Sequence, residues 1–286
     1  PEFHKWNGDP QAGHSPDRNS WAAITAAKNR VLTAEAVQPT SSIDAIVDGN
    51  GNATDRAWHY LLNGETSCYW YWDGQASWDG HPARAANLAV AQADTVLAGG
   101  QDPLPPSIYL PQREPYNPGL GGEPKDVTVW TLVYDVSGLS DVLLHYRVDA
   151  DGVRDGQNDL YDGGAWQTLT MAGSSIGGAM PVAPSYKADQ YEAVLRGLSD
   201  VLVDYYVEAV DSMGQSARSP LGHVWIGNAG GQPSELWEPA APTSSDVITI
   251  RWHEDGWLHW GVNGWQTPPA EYWPAGTVDM ANGHAV

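Results

Sequence analysis

The sequence predicts a multidomain chain in which an N-terminal three-helix bundle precedes an antiparallel β-sandwich and a partial second β-sandwich. Three observations carry this expectation. Residues 1–100 place apolar side chains at helical spacing and contain few alternating runs. A proline cluster, Pro103, Pro105, Pro106, Pro111, Pro115 and Pro118, then breaks that pattern. Beyond it, short alternating runs recur between Gly- and Asp-rich turns. The expected boundaries are 1–100 for the helical part, 101–125 for an extended linker, 126–230 for the sandwich and 231–286 for the partial module.

Composition narrows the function classes. At 286 residues, two or three domains are expected. The 35 acidic side chains against 14 basic ones argue against a nucleic-acid or anionic-membrane partner. Such acidity suits a soluble, secreted (extracellular) or salt-tolerant protein acting on a neutral polymer, although residues 1–20 carry no signal-peptide pattern. The abrupt opening, PEFHKWNGDP, reads as an internal piece of something longer. Fifteen Trp and thirteen Tyr against a single Phe favour rings with a polar handle, which gather at surfaces and ligand sites. Cys68 is alone, so no disulfide forms within the chain and a buried small hydrophobe is the simplest role. No apolar run reaches membrane length.

The helical part begins at Pro16-Asp17-Arg18-Asn19-Ser20, a start signal followed by Trp21, Ile24, Lys28, Val31 and Leu32. Turn chemistry at Asp48-Gly49 and Asn50-Gly51 marks a connection over 38–52. The next helix opens on Thr54 and Asp55 as caps and carries Trp58, Leu61 and Leu62. Glu65 and the run Cys68-Tyr69-Trp70-Tyr71-Trp72 follow, ending at Asp73-Gly74. So many rings require cover from other parts of the chain. They are either core or the wall of a sugar cleft, since sugar C–H faces stack on rings beside a carboxylate. Glu65 itself is expected to be a buried hydrogen-bond partner rather than a catalytic group. A third helix spans 81–98, with Pro82 near its first turn and Gly99-Gly100 as its stop. Three such helices are marginal alone and should lean on another domain.

Strands are expected at 127–135, 142–148, 165–171, 191–195, 201–210 and 223–226. Their spacing argues for an antiparallel sandwich of immunoglobulin or fibronectin type. The run Asp149-Ala150-Asp151-Gly152-Val153-Arg154-Asp155-Gly156-Gln157-Asn158-Asp159 spaces oxygen ligands as calcium loops do. Asp149, Asp151, Asp155 and Asp159 are therefore candidate calcium ligands, and the alternative is a solvated turn with ordinary Asp-Gly chemistry. No Ser-His-Asp grouping, Cys-His zinc spacing or phosphate loop is visible, and Gly119-Leu120-Gly121-Gly122 lacks the strand–helix context that phosphate needs.

Particular motifs carry a resemblance. Lys5-Trp6-Asn7-Gly8, Gly13-His14, Arg18-Asn19-Ser20-Trp21 and the segment from Glu65 to Gly74 resemble the region after the catalytic barrel in glycoside hydrolase family 57 and its relative, family 119. Residues 108–119, IYLPQREPYNPG, and the sandwich after them look like a module that follows such barrels in secreted enzymes. The resemblance implies an α-amylase-type, retaining hydrolase whose Glu nucleophile and Asp acid/base lie upstream, on a barrel not matched here. It also implies that Trp6 and His14 line sugar subsites. The tail, ITIRWHEDGWLHWGVNGW, is similar to the first strands of starch-binding modules of carbohydrate-binding families 25 and 53. That similarity implies α-glucan contacts at His259 and Trp265, with Trp257 or Trp260 as a further wall. Strand alternation sends Trp257 and His259 one way and Trp260 the other, so one Trp of the pair should be core. The last strands of that family's sandwich would lie beyond Val286.

Two functions of different class follow. One is the accessory, C-terminal portion of a secreted α-glucan hydrolase, partnered by a catalytic barrel on the same precursor or on another chain. The other is a non-catalytic extracellular carbohydrate-binding or adhesion protein.

Overall fold

A computed structural model describes residues 16–66, 69, 76–149, 151–178 and 180–228, with the backbone of 237–238 and 249–250. The chain divides into two compact units, Pro1–Asn228 and Ala229–Val286. Among the described residues of the first, four helices precede ten strands: α1 (Pro16–Val37), α2 (Ile43–Asp48), α3 (Ala53–Gly64) and α4 (Ala76–Leu97). No helix among the described residues is long and apolar enough to cross a membrane.

α1 is buried on nearly every side, which explains its weak amphipathicity. Ala23, Ala27, Val31 and Ala34 pack with Ala57 and Leu61 of α3 and Ala86, Ala89, Val90 and Ala93 of α4. These small side chains let the backbones approach closely. Gly64 marks the tightest point: a Cβ there would lie 2.8 Å from Ile24 Cδ1 and 3.1 Å from Ala85 Cβ. α3 is capped by Asn52 rather than by Thr54 or Asp55. The Asp55 amide donates to Asn52 Oδ1 (3.0 Å), and Asp55 Oδ2 accepts from the Asn52 amide (2.8 Å), a reciprocal capping box. Asp55 also accepts from the Ser41 amide and hydroxyl, tying the preceding loop to the same carboxylate. Burial alone would raise its pKa, but these bonds outweigh burial and hold it below the usual value. α4 starts at Ala76, ahead of the expected residue 81, so Pro82 lies inside the helix. The aromatic run 70–74 and Cys68 lie outside the described residues.

The strands form two antiparallel sheets. The first holds β1 (Ser107–Ile108), β2 (Gln112–Glu114), β3 (Val127–Tyr134), β6 (Ala172–Ser174) and β7 (Asp189–Leu195), in the order β1-β3-β7-β6 with β2 also on β3. The second holds β4 (Leu139–Val148), β5 (Gln167–Thr170), β8 (Val201–Asp211), β9 (Ser216–Arg218) and β10 (Gly222–Ile226), in the order β10-β8-β4-β5 with β9 on β8. The proline-rich stretch thus contains two short strands, β1 and β2, that pair with β3. Proline is tolerated there because such edge positions need no continuous ladder.

The sheets enclose one apolar core: Val127, Val129 and Val133 of β3 and Leu195 of β7 meet Val142 and Leu144 of β4 and Val203, Tyr205 and Val207 of β8. Alternation sends Trp130 and Leu132 of β3 to the opposite face, where they pack with Ala22 of α1, Ile176 and Ala188. β3 is therefore buried on both faces, and this first unit is layered helix, sheet, sheet. Polar links cross the helix–sheet boundary. The Ala188 amide donates to the Ala22 carbonyl (3.0 Å), and Arg30 Nη1 donates to the Tyr134 hydroxyl (3.1 Å). Arg18 lies 4.2 Å over the Trp130 ring and pairs with Glu114 at 3.1 Å. In the second unit, β11 (Trp237–Glu238) pairs antiparallel with β12 (Thr249–Ile250).

The shared boundary has a measurable consequence. Leu132→Ala removes a fully buried side chain between α1 and β3 and should cost about 3 kcal/mol. Helical and sheet signals should melt together in parent and variant, and a fragment of residues 1–100 should bind apolar dye. Separate transitions for helix and sheet would contradict the layered packing.

Candidate functional site

A cleft of about 400 Å3 opens beside α1, lined among others by Trp21, Thr25 and Lys28 of that helix, Glu65 after α3, and Tyr109 and Leu110 after β1. Its volume falls in the range of small-molecule sites, about 300–1,000 Å3. The sheet holds Tyr109 by its backbone: its amide donates to the Leu132 carbonyl (2.8 Å), and its carbonyl accepts from the Thr131 hydroxyl. The Trp21 and Tyr109 rings stand 5.4 Å apart at 39°, so they form one tilted wall. Glu65 is exposed at the cleft, not the buried hydrogen-bond partner expected from its aromatic surroundings. α3 ends at Gly64, so Glu65 sits just beyond it as the C-cap residue. The cleft walls remove part of its hydration and raise its pKa, while the Lys28 ammonium pulls the other way. Two rings, a carboxyl group and an ammonium around one concavity suit a ligand with an apolar face and a hydroxylated edge.

The expected calcium loop is organised differently. Arg147 of β4 sits at its centre, and a guanidinium satisfies the loop carbonyls. Arg147 Nη1 donates to Gly163 O (2.8 Å) and Nη2 to the carbonyls of Gln157 (3.0 Å) and Asn158 (3.2 Å). Its Nε donates to the fully buried Asp204 carboxylate at 2.9 Å. Asp204 also accepts from Asn158 Nδ2 (3.1 Å) and bonds His223 Nδ1 (2.8 Å). The four candidate ligands occupy separate posts. Asp149 accepts from the Gly152 amide, Asp151 from Val153 and Asp155 from Gln157, while Asp159 meets His223 Nε2 at 3.0 Å. Burial first, and then Asp151 beside it, raise the Asp149 pKa. No three of the four converge on one point. Next to this loop, Tyr206 is stacked on His145 (4.7 Å, 15°) and meets Tyr161 and Trp166 edge-on.

Among the described residues, three other carboxylates do converge. Asp102, Asp135 and Asp211 each offer an oxygen, and these oxygens all lie within 4.8 Å of one another. Asp102 precedes β1, Asp135 follows β3 directly and Asp211 ends β8. Nothing in sequence spacing links them: the two strands belong to different sheets and Asp102 to the connection before β1, so tertiary packing brings them together. Trp6, His14, Trp257, His259, Trp260 and Trp265 lie outside the described residues.

No protein-family profile matches the chain. Over 225 residues it is 24% identical to an alpha-amylase of Niallia circulans. The match covers 63% of this chain and 17% of that protein's length, so the chain corresponds to a small part of this relative. Among solved structures, a cycloalternan-degrading enzyme from Trueperella pyogenes superposes on 40% of the chain and 15% of its own, at 15% identity and a TM-score of 0.27. Astrotactin-2, a perforin-like membrane protein, superposes on 63% of the chain and 31% of its own, at 17% identity and a TM-score of 0.28. Scores this low establish neither a common fold nor a common activity.

The Arg147–Asp204 pair sets a testable pH dependence. Burial would raise the Asp204 pKa, but bonds from His223, Arg147 and Asn158 outweigh it and hold the group below its ordinary 3.8. Its folded value lies below its unfolded one, so its stabilisation is full above 3.8 and fades as pH falls through the lowered value. Asp204→Ala should cost about 3–5 kcal/mol at neutral pH, since it leaves a buried guanidinium unpaired. Chemical denaturation of parent and variant across the acid range should show the gap narrowing only at acid pH. A gap independent of pH would mean that lost packing, not the charge, dominates.

Proposed function

We propose that this chain is an accessory portion of an extracellular α-glucan-active glycoside hydrolase, lying after a catalytic barrel and contributing contacts to the polymer. The observation that carries this reading is the cleft at Trp21 and Tyr109, where a tilted aromatic wall faces Lys28 and Glu65. A hexose stacks its C–H face on such rings and donates hydroxyls to such a carboxylate. The similarity of most of the chain to an alpha-amylase supports an α-glucan as the polymer. The sandwich is of the immunoglobulin-like kind that follows catalytic barrels as a spacer. The Trp-rich tail, through His259, Trp265 and either Trp257 or Trp260, is a second contact of the starch-binding type. Trp6 and His14 belong, in this reading, to the subsites near the barrel.

Retardation of the purified chain in gels containing amylopectin tests the binding role. The parent should be retarded, and Trp21→Ala should weaken binding by about 1 kcal/mol, the usual worth of one aromatic contact. Glu65→Gln, at an exposed position, serves as the variant whose folding is not at risk, and it too should reduce retardation. A parent that migrates as in plain gel would sink the α-glucan reading. Unchanged retardation in both variants would move the contact away from this cleft.

The same reading places the chemistry on another part of the enzyme. The purified chain should not hydrolyse starch, maltodextrin or pullulan, because Glu65 has no second carboxylate across the cleft among its described lining residues. Turnover that survives purification and disappears in Glu65→Gln would assign that residue a catalytic role and reverse the conclusion.

A further inference from the structure

We propose that Asp102, Asp135 and Asp211 form a calcium site that clasps the end of the sandwich to the segment arriving from α4. The converging oxygens have the spacing that such an ion needs. Calcium takes oxygen ligands at about 2.3–2.6 Å, so two oxygens across it stand about 4.8 Å apart. The three carboxylates reach that limit without rearrangement.

A second observation separates this cluster from an ordinary acidic turn. Asp135 is 5% exposed and Asp211 1% exposed. Each of the three nevertheless keeps one oxygen without a hydrogen-bond partner: Asp102 Oδ1, Asp135 Oδ2 and Asp211 Oδ2. The opposite oxygens accept from backbone amides and one serine hydroxyl. Asp135 Oδ1 accepts from the Ser137 amide and hydroxyl (2.8 Å each), and Asp102 Oδ2 accepts from the same amide (3.0 Å). Asp211 Oδ1 accepts from the amides of Met213 and Gln215 (2.8 Å each). Asp135 and Asp211 are therefore oriented by the turns that follow them and Asp102 by the turn after β3, and each keeps one buried oxygen without a partner. Buried carboxylate oxygens rarely stay unsatisfied in folded proteins. Among the described residues, no lysine, arginine or histidine forms an ion pair with any of the three.

The donor set selects the ion. With carboxylate oxygens and no imidazole or thiolate, the cluster suits a hard cation. Three carboxylates on three separate turns make an irregular cage, which calcium accommodates and magnesium, with its strict octahedron and retained waters, does not. Water completes the shell on the side of Asp102, the least buried of the three. Without the ion, the carboxylates repel.

The position gives the site its role. The turn after β3 is bonded to the turn after β8 through the Ser212 amide and the Gly138 carbonyl (2.9 Å). Gln215 Nε2 reaches back to the carbonyl of Asp102 at 3.0 Å. An ion at the three carboxylates joins the same three segments, one from each sheet and one from the connection to the helices. It is therefore a structural clamp on the layered unit and independent of any glucan bound elsewhere.

Calorimetric titration of the chelator-stripped chain with calcium chloride, together with thermal melting with and without calcium, tests the assignment. Calcium should bind and raise the melting temperature. Asp135→Asn and Asp211→Asn, which keep the accepting oxygen but lose the charge, should weaken calcium binding by more than about tenfold. They should also lose the calcium-dependent shift, while melting without calcium at or above the parent because the repulsion is gone. Asp102→Ala, at the least buried ligand, gives the same readout if either buried variant fails to fold. Asp149→Asn and Asp151→Asn should leave both measurements unchanged. The proposal is overturned if calcium produces no shift in the parent, if the shift survives in the Asp102, Asp135 and Asp211 variants, or if it is lost instead in those of the 149–159 loop. A stripped parent that gains stability only on acidification, with no response to calcium, would assign the cluster to a shared proton.

Discussion

The packing of α1 on β3 is the constraint on which the rest of this structure depends. β3 carries valines toward one side and Trp130 and Leu132 toward the other, so neither face tolerates water. α1 answers with Ala22 on the sheet side and Ala23, Ala27 and Ala34 on the helix side. Burial of both elements on two sides makes the helices and the sandwich one hydrophobic problem with one solution. The polar groups that this buries are matched rather than removed: Arg30 bridges Asp94 of α4 and Tyr134 of β3, and Asn19 bonds the Gly177 carbonyl.

The cleft is a by-product of that same contact. Where α1 lies across the first sheet, its Trp21 meets Tyr109, whose backbone is bonded to β3. α3 ends at Gly64, and Glu65 is left facing the opening beside Lys28. A ligand there would contact residues from three elements that are distant in sequence. Its affinity would depend on the layers staying together, because the helical layer brings Trp21 with both charged groups and the sheet side brings the Tyr109 ring.

Two acidic regions of the sandwich are organised in contrasting ways. Around Arg147 the charge is covalently part of the chain, and its planar fork satisfies three carbonyls and the Asp204 carboxylate at once. That arrangement explains why a run rich in aspartates becomes a set of local turns. At Asp102, Asp135 and Asp211 the carboxylates converge with no such partner among the described side chains, and each keeps one oxygen without a hydrogen bond. The two sites share acidic composition and differ in whether an arginine was placed within reach.

Much of the secondary structure was legible from the sequence. Alternation located β3, β4, β7, β8 and β10 to within a few residues, because each has one face in a common core and period two survives in the side chains. α1 was legible from its start signal. Its helix boundaries elsewhere were not: Asn52 capped α3 because Asp55 could return the bond, a reciprocal geometry that Thr54 obscured. β1 and β2 were hidden because proline-rich segments pair only where a neighbouring strand offers an edge. The aspartate spacing of 149–159 was plain to read, yet local spacing says nothing about an arginine arriving from β4. The converging carboxylates were illegible for the converse reason: residues 102, 135 and 211 meet only because β3 and β8 run out at the same end of the sandwich. Periodicity and turn chemistry are local, and they determined which segments became helices and strands. Which charges meet, and which rings share a wall, was decided by strand register and by a helix buried on two sides, since those contacts join residues that the chain itself keeps far apart.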